Sequence, residues 1–301
     1  MPTSTPPPRP TLGARDRLPP PIRSALSAGK RAAWFSIGRM TPVPTRPVLV
    51  LGNQKAGTTA VAALLAQYAG LSATLDFRYL TSSWLKGVHD GSIPFQAFLR
   101  RHALDFSRGL VKEPNLSLLY PHLVRAFPEA EVVLIVRDPR DNIRSVLNRL
   151  GLPGDAPPPE GWADRVNPLW RLVVDGAWLG LEGGTHVEAL ASRWSAIADV
   201  ALDHADRVRL IRYEDFMADK EGAVADLAAR CGLEQKADIA DRLNVAFQPR
   251  GDRAVSWTSF FGDDALRRLD TRCGDRLAAF GYPSSIEAGP PADPAPSPPL
   301  R

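Results

Sequence analysis

The sequence has only two cysteines in 301 residues, Cys231 and Cys273. They lie far apart and lack the short spacing that is typical of metal-ligand cysteines. So few thiols exclude a disulfide-rich secreted domain and favour a reducing compartment. We therefore expect a cytoplasmic location, with peripheral contact at the inner membrane face as a variant of it.

Long hydrophobic runs are also lacking, because no apolar stretch approaches the roughly 20 residues that a membrane-spanning helix needs. The first 21 residues contain eight prolines and three arginines rather than the apolar core of a secretory leader. We therefore expect neither a membrane-spanning helix nor a secretory leader in this sequence. Its 44% content of hydrophobic residues is enough for the core of one large α/β domain.

The net charge of +4 is concentrated at one end of the chain. Residues 1–45 have seven basic residues and one acidic residue, a net charge of +6, so the remainder has a net charge of −2. A nearly neutral globular part argues against a nucleic-acid partner. The basic segment is expected to be a solvated tail, and the alternative is weak contact of residues 22–40 with an anionic membrane surface.

The central part alternates short apolar runs with longer helical patterns. The runs "PVLVLG", "GLVKEP", "AEVVLIVRD" and "RVRLIRYED" are each followed by an amphipathic stretch. This alternation predicts an α/β fold with a central parallel sheet flanked by helices, and such sheets bind ligands at the carboxyl ends of their strands. The side chains predicted at those ends are Lys55, Lys112, Arg137 and Tyr213.

Proline-rich segments bound this α/β region. Residues 1–45 and 284–301 are predicted to be disordered, and the second of them contains six prolines. The single domain is therefore placed at residues 46–283.

The stretch "LGNQKAGTTAVAALLAQ" resembles a phosphate-binding loop with a displaced lysine. Its two glycines keep the spacing of the G-x-x-x-x-G-K-[ST] loop, but Lys55 comes two places before the second glycine. A helix that opens at Thr58 and Thr59 would direct its amide groups at an anion. The residue directly after Lys55 is Ala56, so the serine or threonine that usually follows the loop lysine and holds Mg²⁺ is lacking. A simple tight turn is the alternative for this loop alone.

A second motif, "VRDPRDNIRSVLNR", places Arg137 at a strand end and Ser145 about two helical turns later. A guanidinium and a hydroxyl in these positions can converge on one compact dianion. Ordinary surface charge pairs at a helix start are the alternative. Asp138 could hold a metal after its strand, but the adjacent Arg137 fits poorly with a cation site.

Together, "QKAGTTA" and "RDPRDNIRSVLNR" resemble the sulfotransferase family, which uses 3′-phosphoadenosine 5′-phosphosulfate (PAPS). The resemblance implies a P-loop NTPase-like sulfotransferase architecture over roughly residues 46–283. It implies that Arg137 and Ser145 bind the 3′-phosphate. The residues implied at the 5′-phosphosulfate are Asn53, Gln54, Lys55, Ala56, Gly57, Thr58 and Thr59.

Two weaker matches extend the resemblance. "RYEDF" is similar to a family segment whose tyrosine lies near the adenine, which implies that role for Tyr213. "QPRGDRAVSW" is loosely similar to a late loop that closes on the 3′-phosphate, which implies Arg250 and Gly251 as further contacts.

The displaced lysine fits sulfuryl transfer. A sulfuryl group carries less charge than a γ-phosphoryl group, so no metal is expected, and Lys55 can stabilise the bridging oxygen as the S–O bond breaks. Relatives have a catalytic lysine at a place that corresponds to Lys112, for which a solvated strand-end charge is the alternative.

The sequence offers two candidates for the general base that removes the proton of the acceptor. Aryl and steroid sulfotransferases have a histidine two places after this lysine, where this chain has Pro114. Carbohydrate-type relatives use a glutamate instead, and the resemblance is therefore closer to the bacterial and carbohydrate type. Asp76 is the nearest match, and Glu113 is the other candidate.

The predicted function is transfer of a sulfuryl group from PAPS to a hydroxyl or amine of a carbohydrate, lipid-linked or small-molecule acceptor. The alternatives are a nucleotide-binding regulator that retains the PAPS pocket and a P-loop phosphoryl transferase. The acceptor pocket is expected in loops 76–108 and 151–185, the second of which begins with a Pro/Gly-rich break.

Overall fold

The computed structural model describes residues 20–181, 184–245 and 255–283. In these ranges the strands are β1 (Val48–Gly52), β2 (Ala73–Thr74), β3 (Leu110–Lys112), β4 (Glu131–Val136) and β5 (Val208–Arg212). They form one parallel sheet in the order β2–β3–β1–β4–β5. The fold class predicted from the sequence is therefore confirmed.

Helices connect the strands and cover both faces of the sheet. They are α1 (Pro20–Met40), α2 (Thr58–Tyr68), α3 (Ser82–His89), α4 (Phe95–Arg101), α5 (Ala103–Phe106), α6 (Tyr120–Ala126), α7 (Pro139–Leu150), α8 (Trp162–Arg165), α9 (Pro168–Val174), α10 (His186–Asp203), α11 (Tyr213–Ala218), α12 (Lys220–Arg230), α13 (Trp257–Cys273) and α14 (Arg276–Ala279). Short 3₁₀ helices lie at Pro114–Leu119, Ala177–Leu179 and Ala240–Arg242.

The central strand is buried on both faces. In β1, Leu49 and Leu51 belong to one hydrophobic cluster, whereas Val48 and Val50 belong to the cluster on the opposite face. Because side chains alternate along a strand, a continuous apolar run such as "VLVL" is what a strand between two helical layers requires.

The order of the strands reverses beside β1. The chain runs from β1 outwards to β2, returns through β3 beside β1, and then continues on the other side through β4 and β5. In open parallel sheets, ligands bind at the carboxyl ends of the strands at such a switch point. The register pairs Gly52 with Ile135 and Val50 with Lys112, so the segments that follow β1, β3 and β4 emerge side by side.

The four apolar runs singled out in the sequence contain β1, β3, β4 and β5. The sequence did not indicate β2, which has only two residues and no room for a periodic pattern. Residues Pro139–Leu150 form α7 with the bounds that the helical pattern predicted.

The expectation of disorder throughout residues 1–45 is wrong for Pro20–Met40, which form α1. This helix packs against α4 and α5. Aromatic side chains of α1 stack with arginines of the domain: the Arg101 guanidinium lies 4.1 Å from the centre of the Phe35 ring, and that of Arg78 lies 5.2 Å from Trp34. The disorder predicted for residues 1–19 and 284–301 concerns residues outside the described ranges, and the domain boundaries stay predictions.

Cys231 and Cys273 are both free and buried. Among the described helices, none is long and apolar enough to cross a membrane.

We expect the central strand to carry a large share of the stability. Leu49 is fully buried, so Leu49→Ala should lower the free energy of unfolding by about 2–5 kcal/mol, because the lost contacts leave a cavity between packed layers. Leu202→Ala is the control, since Leu202 is 38% exposed, and we expect a change near ~0.5 kcal/mol. Urea unfolding followed by circular dichroism measures both, and equal losses would contradict the assignment of the core.

Candidate active site

The loop between β1 and α2 depends on its two glycines. Gly57 has a φ of 92°, and a Cβ at this position would lie 2.4 Å from a ring carbon of Tyr213. Gly52 has a φ of 138°, and a Cβ there would lie 2.5 Å from the Ile135 carbonyl oxygen. Only glycine satisfies both the backbone conformation and the space, so the two-glycine spacing follows from the geometry of the turn.

Lys55 adopts the left-handed conformation that is unusual for a residue with a side chain, with a φ of 67°. Two residues of the second motif hold it there. Arg137 Nη1 donates to the Lys55 carbonyl at 3.0 Å, and Asn142 Nδ2 donates to the preceding Gln54 carbonyl at 2.8 Å. The second motif therefore fixes the backbone of the first loop.

Arg137 is buried at the end of β4, where its guanidinium contacts neighbouring side chains and also has one hydrogen-bond donor without a partner among the described residues. Its guanidinium lies 4.7 Å from the centre of the Tyr213 ring and its Nη2 lies 3.6 Å from Asp141 Oδ2. Its buried Nε has no hydrogen-bond partner among the described residues. A buried donor without a partner is costly, and an anion bound here would satisfy it.

The start of α7 is organised by a different ion pair. Asp138 caps the helix, and both of its carboxylate oxygens accept from Arg140, at 2.9 and 2.6 Å. Burial raises the pKa of Asp138, and the bonds from Arg140 oppose that shift. Because this carboxylate is already saturated, it is poorly suited to bind a metal. Ser145 lies two turns along α7 and is half-buried.

Within the described ranges, no group of three or more His, Cys, Asp or Glu residues is arranged to hold a metal ion. The metal independence expected from the sequence stays a prediction.

A cleft of about 200 Å³ opens beside the first loop. Its polar lining includes Lys55, Lys112 and Asp76, so predicted site residues from three separate segments of the chain meet at one place. Burial lowers the pKa of Lys55, and the nearby Arg149 and Arg137 lower it further. The full lining is Gln54, Lys55, Thr58, Asp76, Phe77, Lys112, Glu113, Pro114, Asn115, Asn167, Leu169, Trp170 and Val173.

Lys112 and Asp76 form an ion pair in this cleft, with 2.8 Å between Nζ and Oδ1. The Lys112 side chain is 2% exposed, whereas that of Asp76 is 65% exposed. Lys112 is thus held in place by the protein, and Asp76 faces the space that an acceptor would enter. A solvated strand-end charge, the alternative for Lys112, does not describe this buried side chain.

Glu113 is buried and surrounded by donors. Its Oε1 accepts from the Asn115 backbone N at 3.1 Å and from Asn115 Nδ2 at 2.8 Å, and its Oε2 accepts from Phe77 N at 3.3 Å. Burial raises the pKa of Glu113, and the hydrogen bonds from these amides oppose it. Its oxygens are therefore committed to the wall of the cleft rather than to a ligand.

A buried polar network that the sequence did not indicate lies beneath the first loop. Arg193 Nη2 donates to Gln54 Oε1 at 3.0 Å and to Asn115 Oδ1 at 3.3 Å. Gln54 Nε2 donates to the same Asn115 oxygen at 2.9 Å. Arg193 lies in α10, outside every motif. A role for Arg193 at the site is indicated only by its contact with Gln54, from which it is 139 positions away along the chain.

The structure brings most of the predicted site residues together. Gln54, Lys55, Thr58, Asp76, Lys112 and Glu113 line the cleft, and Tyr213 contacts Gly57 and Arg137. Asn53 and Ala56 are buried in the loop, and Thr59 lies in the first turn of α2. Arg250 and Gly251 lie outside the described residues. The individual roles of all these residues stay predictions.

The sequence matches the sulfotransferase domain family over residues 45–248. Solved structures similar to this chain include a sulfotransferase from Mycobacterium avium, with 15% identity, a TM-score of 0.51, and coverage of 84% of this chain and 82% of that one. A sulfotransferase from Alicyclobacillus acidocaldarius has 17% identity, coverage of 80% and 98%, and a TM-score of 0.47. A mouse sulfotransferase complexed with PAP has 15% identity, coverage of 81% and 89%, and a TM-score of 0.47.

A comparison with curated proteins gave no match. The similarity to the Mycobacterium avium structure supports the fold alone, because the identity is low. The family match covers more than half of the chain and agrees with the two loop motifs. It does not support the carbohydrate subtype. The chain belongs to the sulfotransferase family, the PAPS-dependent enzymes that its loop motifs resemble.

Proposed function

We propose that this protein transfers the sulfuryl group of PAPS to a hydroxyl group of a small molecule with an apolar body. The observation that carries the proposal is the cleft in which Lys55, Lys112 and Asp76 meet beside apolar walls. Sulfuryl transfer as the reaction class rests on the family. The acceptor class and the roles of the individual residues are part of the proposal.

The residues present fit the nucleotide. The amides at the start of α2 and the Lys55 side chain would hold the 5′-phosphosulfate, as expected for an anion at a helix N-terminus. The buried Arg137 Nε, which has no partner in the described chain, supplies a donor for the 3′-phosphate, and Ser145 lies in α7, the helix that follows Arg137. Tyr213, between Gly57 and Arg137, would flank the adenosine.

Lys55 and Lys112 would act on the charge that develops during transfer. When bound, PAPS supplies a sulfuryl group whose S–O bond to the 5′-phosphate breaks as the acceptor oxygen bonds to sulfur. Lys55, held by its backbone in the loop, stabilises the bridging oxygen that becomes negative. Lys112 is buried and fixed, so its ammonium needs little reorganisation to do the same.

Asp76 fits the base better than Glu113 does. Its carboxylate is exposed to the cleft and makes one ion pair, with Lys112, so it can accept the proton of the acceptor hydroxyl. Both oxygens of Glu113 are already occupied by amide donors from Asn115 and Phe77. Glu113 would instead position the segment that carries Asp76.

The walls of the cleft favour an apolar acceptor. Five of the ten lining residues outside the nucleotide loop are apolar, namely Phe77, Pro114, Leu169, Trp170 and Val173. The Oδ1 of Asn167, a polar residue of α9's cap, already accepts from Leu169 N at 2.9 Å. A sugar would find few free hydrogen-bonding groups among these described residues. Of the acceptor classes that the sequence left open, the small-molecule class fits best.

Binding of adenosine 3′,5′-bisphosphate should raise the melting temperature of the protein, and EDTA should not abolish the increase. At a hundredfold excess over the dissociation constant, the added stability should be about 2.7 kcal/mol. Differential scanning fluorimetry measures the shift, with ATP plus Mg²⁺ as the comparison. A larger shift with ATP and Mg²⁺ would favour a phosphoryl transferase. Binding without turnover on any hydroxyl acceptor would favour a nucleotide-binding regulator.

Ser145→Ala and Arg137→Ala should have different effects. Ser145→Ala should weaken binding of adenosine 3′,5′-bisphosphate and leave the rate at saturation nearly unchanged, because the 3′-phosphate does not react. Arg137→Ala should weaken binding by about 1.5–3 kcal/mol and also lower the rate at saturation, because Arg137 holds the Lys55 carbonyl.

Calorimetric titration and single-turnover kinetics measure the two quantities. Adenosine 5′-phosphosulfate, which lacks the 3′-phosphate, is the control ligand, and its affinity should not respond to Ser145→Ala. An equal loss of affinity for both nucleotides would refute the placement of the 3′-phosphate.

The base and the electrostatic group can be separated by the acidity of the acceptor. Lys55→Ala should lower kcat by ~10²–10³ with every acceptor. Asp76→Asn should lower it by ~10²–10⁴ with an aliphatic alcohol and less with an acidic phenol, which needs less help to lose its proton. Asp226→Asn is the control, because this exposed carboxylate pairs with Arg230 in α12.

Glu113→Gln should mainly lower stability, because the amide that replaces one carboxylate oxygen cannot accept a hydrogen bond from its neighbours. If Glu113→Gln, rather than Asp76→Asn, shows the dependence on the acidity of the acceptor, then Glu113 is the base.

A further inference from the structure

Arg193 connects helix α10 to the nucleotide loop. The residue is 1% exposed, and one nitrogen of its guanidinium bonds to the side chains of both Gln54 and Asn115. Gln54 directly precedes Lys55, and both residues line the cleft. A single buried side chain therefore fixes the residue next to the catalytic lysine.

The charge of Arg193 is poorly compensated. Its Nε and Nη1 have no hydrogen-bond partner in the described part of the chain, and the carboxylate that acts on its charge is that of Glu113. Burial lowers its pKa to about 10, with Glu113 opposing the shift, so the guanidinium is still protonated at neutral pH. A buried charge whose partners are mainly side-chain amides lowers the stability of the fold. A purely structural role therefore explains poorly why an arginine stands at this position.

The next residue of the helix contacts the other motif. Trp194 Nε1 donates to the carbonyl of Arg137 at 2.9 Å. Adjacent side chains of α10 thus brace both loops, Arg193 through Gln54 and Trp194 through the Arg137 backbone. Arg193 binds the side chain of Gln54 in the first loop, whereas Arg137, which follows β4, binds the backbone carbonyl of Lys55.

We propose that Arg193 is a positioning residue for sulfuryl transfer, which fixes Gln54 so that Lys55 is held at the cleft and which places a permanent positive charge behind the nucleotide loop. This inference rests on the proposed function for its kinetic consequence. Its structural consequence, a loop held by Arg193, can be tested without any turnover.

The first test measures the loop directly. Hydrogen exchange of the amides of residues 53–57 should become faster in Arg193→Met and less so in Arg193→Lys, which keeps the charge and one donor. Arg276→Met is the matched control. Arg276 also pairs with α10, through Asp199 at 2.5 and 2.7 Å, but it touches neither loop. Unchanged exchange in Arg193→Met, or equal acceleration in the control, overturns the proposal.

The second test asks whether Arg193 acts through Lys55. Arg193→Met should lower kcat by about 10- to 100-fold with little change in the acceptor KM, because misplacement of a reacting group mainly affects the transition state. Arg193→Lys should recover part of this loss. In the Lys55→Ala background, Arg193→Met should cause little further loss, because the group that it positions is gone. Independent, multiplicative losses overturn the proposal.

Gln54→Ala tests the same contact from the loop side. It should reproduce the faster exchange of Arg193→Met, and the double variant should exchange no faster than either single variant. If Arg193→Met does not fold, Gln54→Ala alone decides the matter, and unchanged exchange of residues 53–57 in Gln54→Ala relative to wild type overturns the proposal. If the wild-type protein transfers no sulfuryl group, the proposed function fails, whereas the exchange data still support or refute the role of Arg193.

Discussion

The hydrogen bond from Arg137 Nη1 to the Lys55 carbonyl is the contact on which the site depends. It joins motifs that lie 82 positions apart and holds Lys55 in a backbone conformation that a lysine rarely adopts. The bond exists because β1 and β4 are neighbours in register, with Gly52 opposite Ile135. The order of the strands in the sheet therefore determines the chemistry at its edge.

Buried arginines surround this contact, and they differ in whether a carboxylate hydrogen-bonds to the guanidinium. Arg140 forms a two-bond ion pair with the carboxylate of Asp138 and stacks on Trp257 at 4.2 Å, which suits a structural joint between α7 and α13, and only its Nη1 lacks a hydrogen-bond partner among the described residues. Arg137 and Arg193 each keep buried donors that no described residue satisfies. Incomplete pairing of a buried charge is unfavourable for folding, and an anionic substrate is a reason to retain it.

The sequence predicted the local parts of the site and missed those that depend on distant contacts. The glycines of the loop, Lys55 and Arg137 lie within short motifs whose geometry is set by the strand and helix around them, so their spacing was informative. Arg193 has no motif, and its partner Gln54 is 139 positions away. Helix α1 was also missed, because a proline- and arginine-rich composition does not reveal aromatic contacts such as that of Phe35 with Arg101.

The choice between two carboxylates was open in the sequence because Asp76 and Glu113 are chemically equivalent there. Their surroundings differ in the structure. Amide groups donate hydrogen bonds to both carboxylate oxygens of Glu113, whereas Asp76 faces the cleft and pairs with Lys112. In the proposed reaction this pairing couples two events. A proton that moves from the acceptor to Asp76 neutralises the partner of Lys112, so the positive charge of Lys112 becomes available to the departing oxygen as that oxygen becomes negative. One ion pair thus links deprotonation of the acceptor to cleavage of the S–O bond.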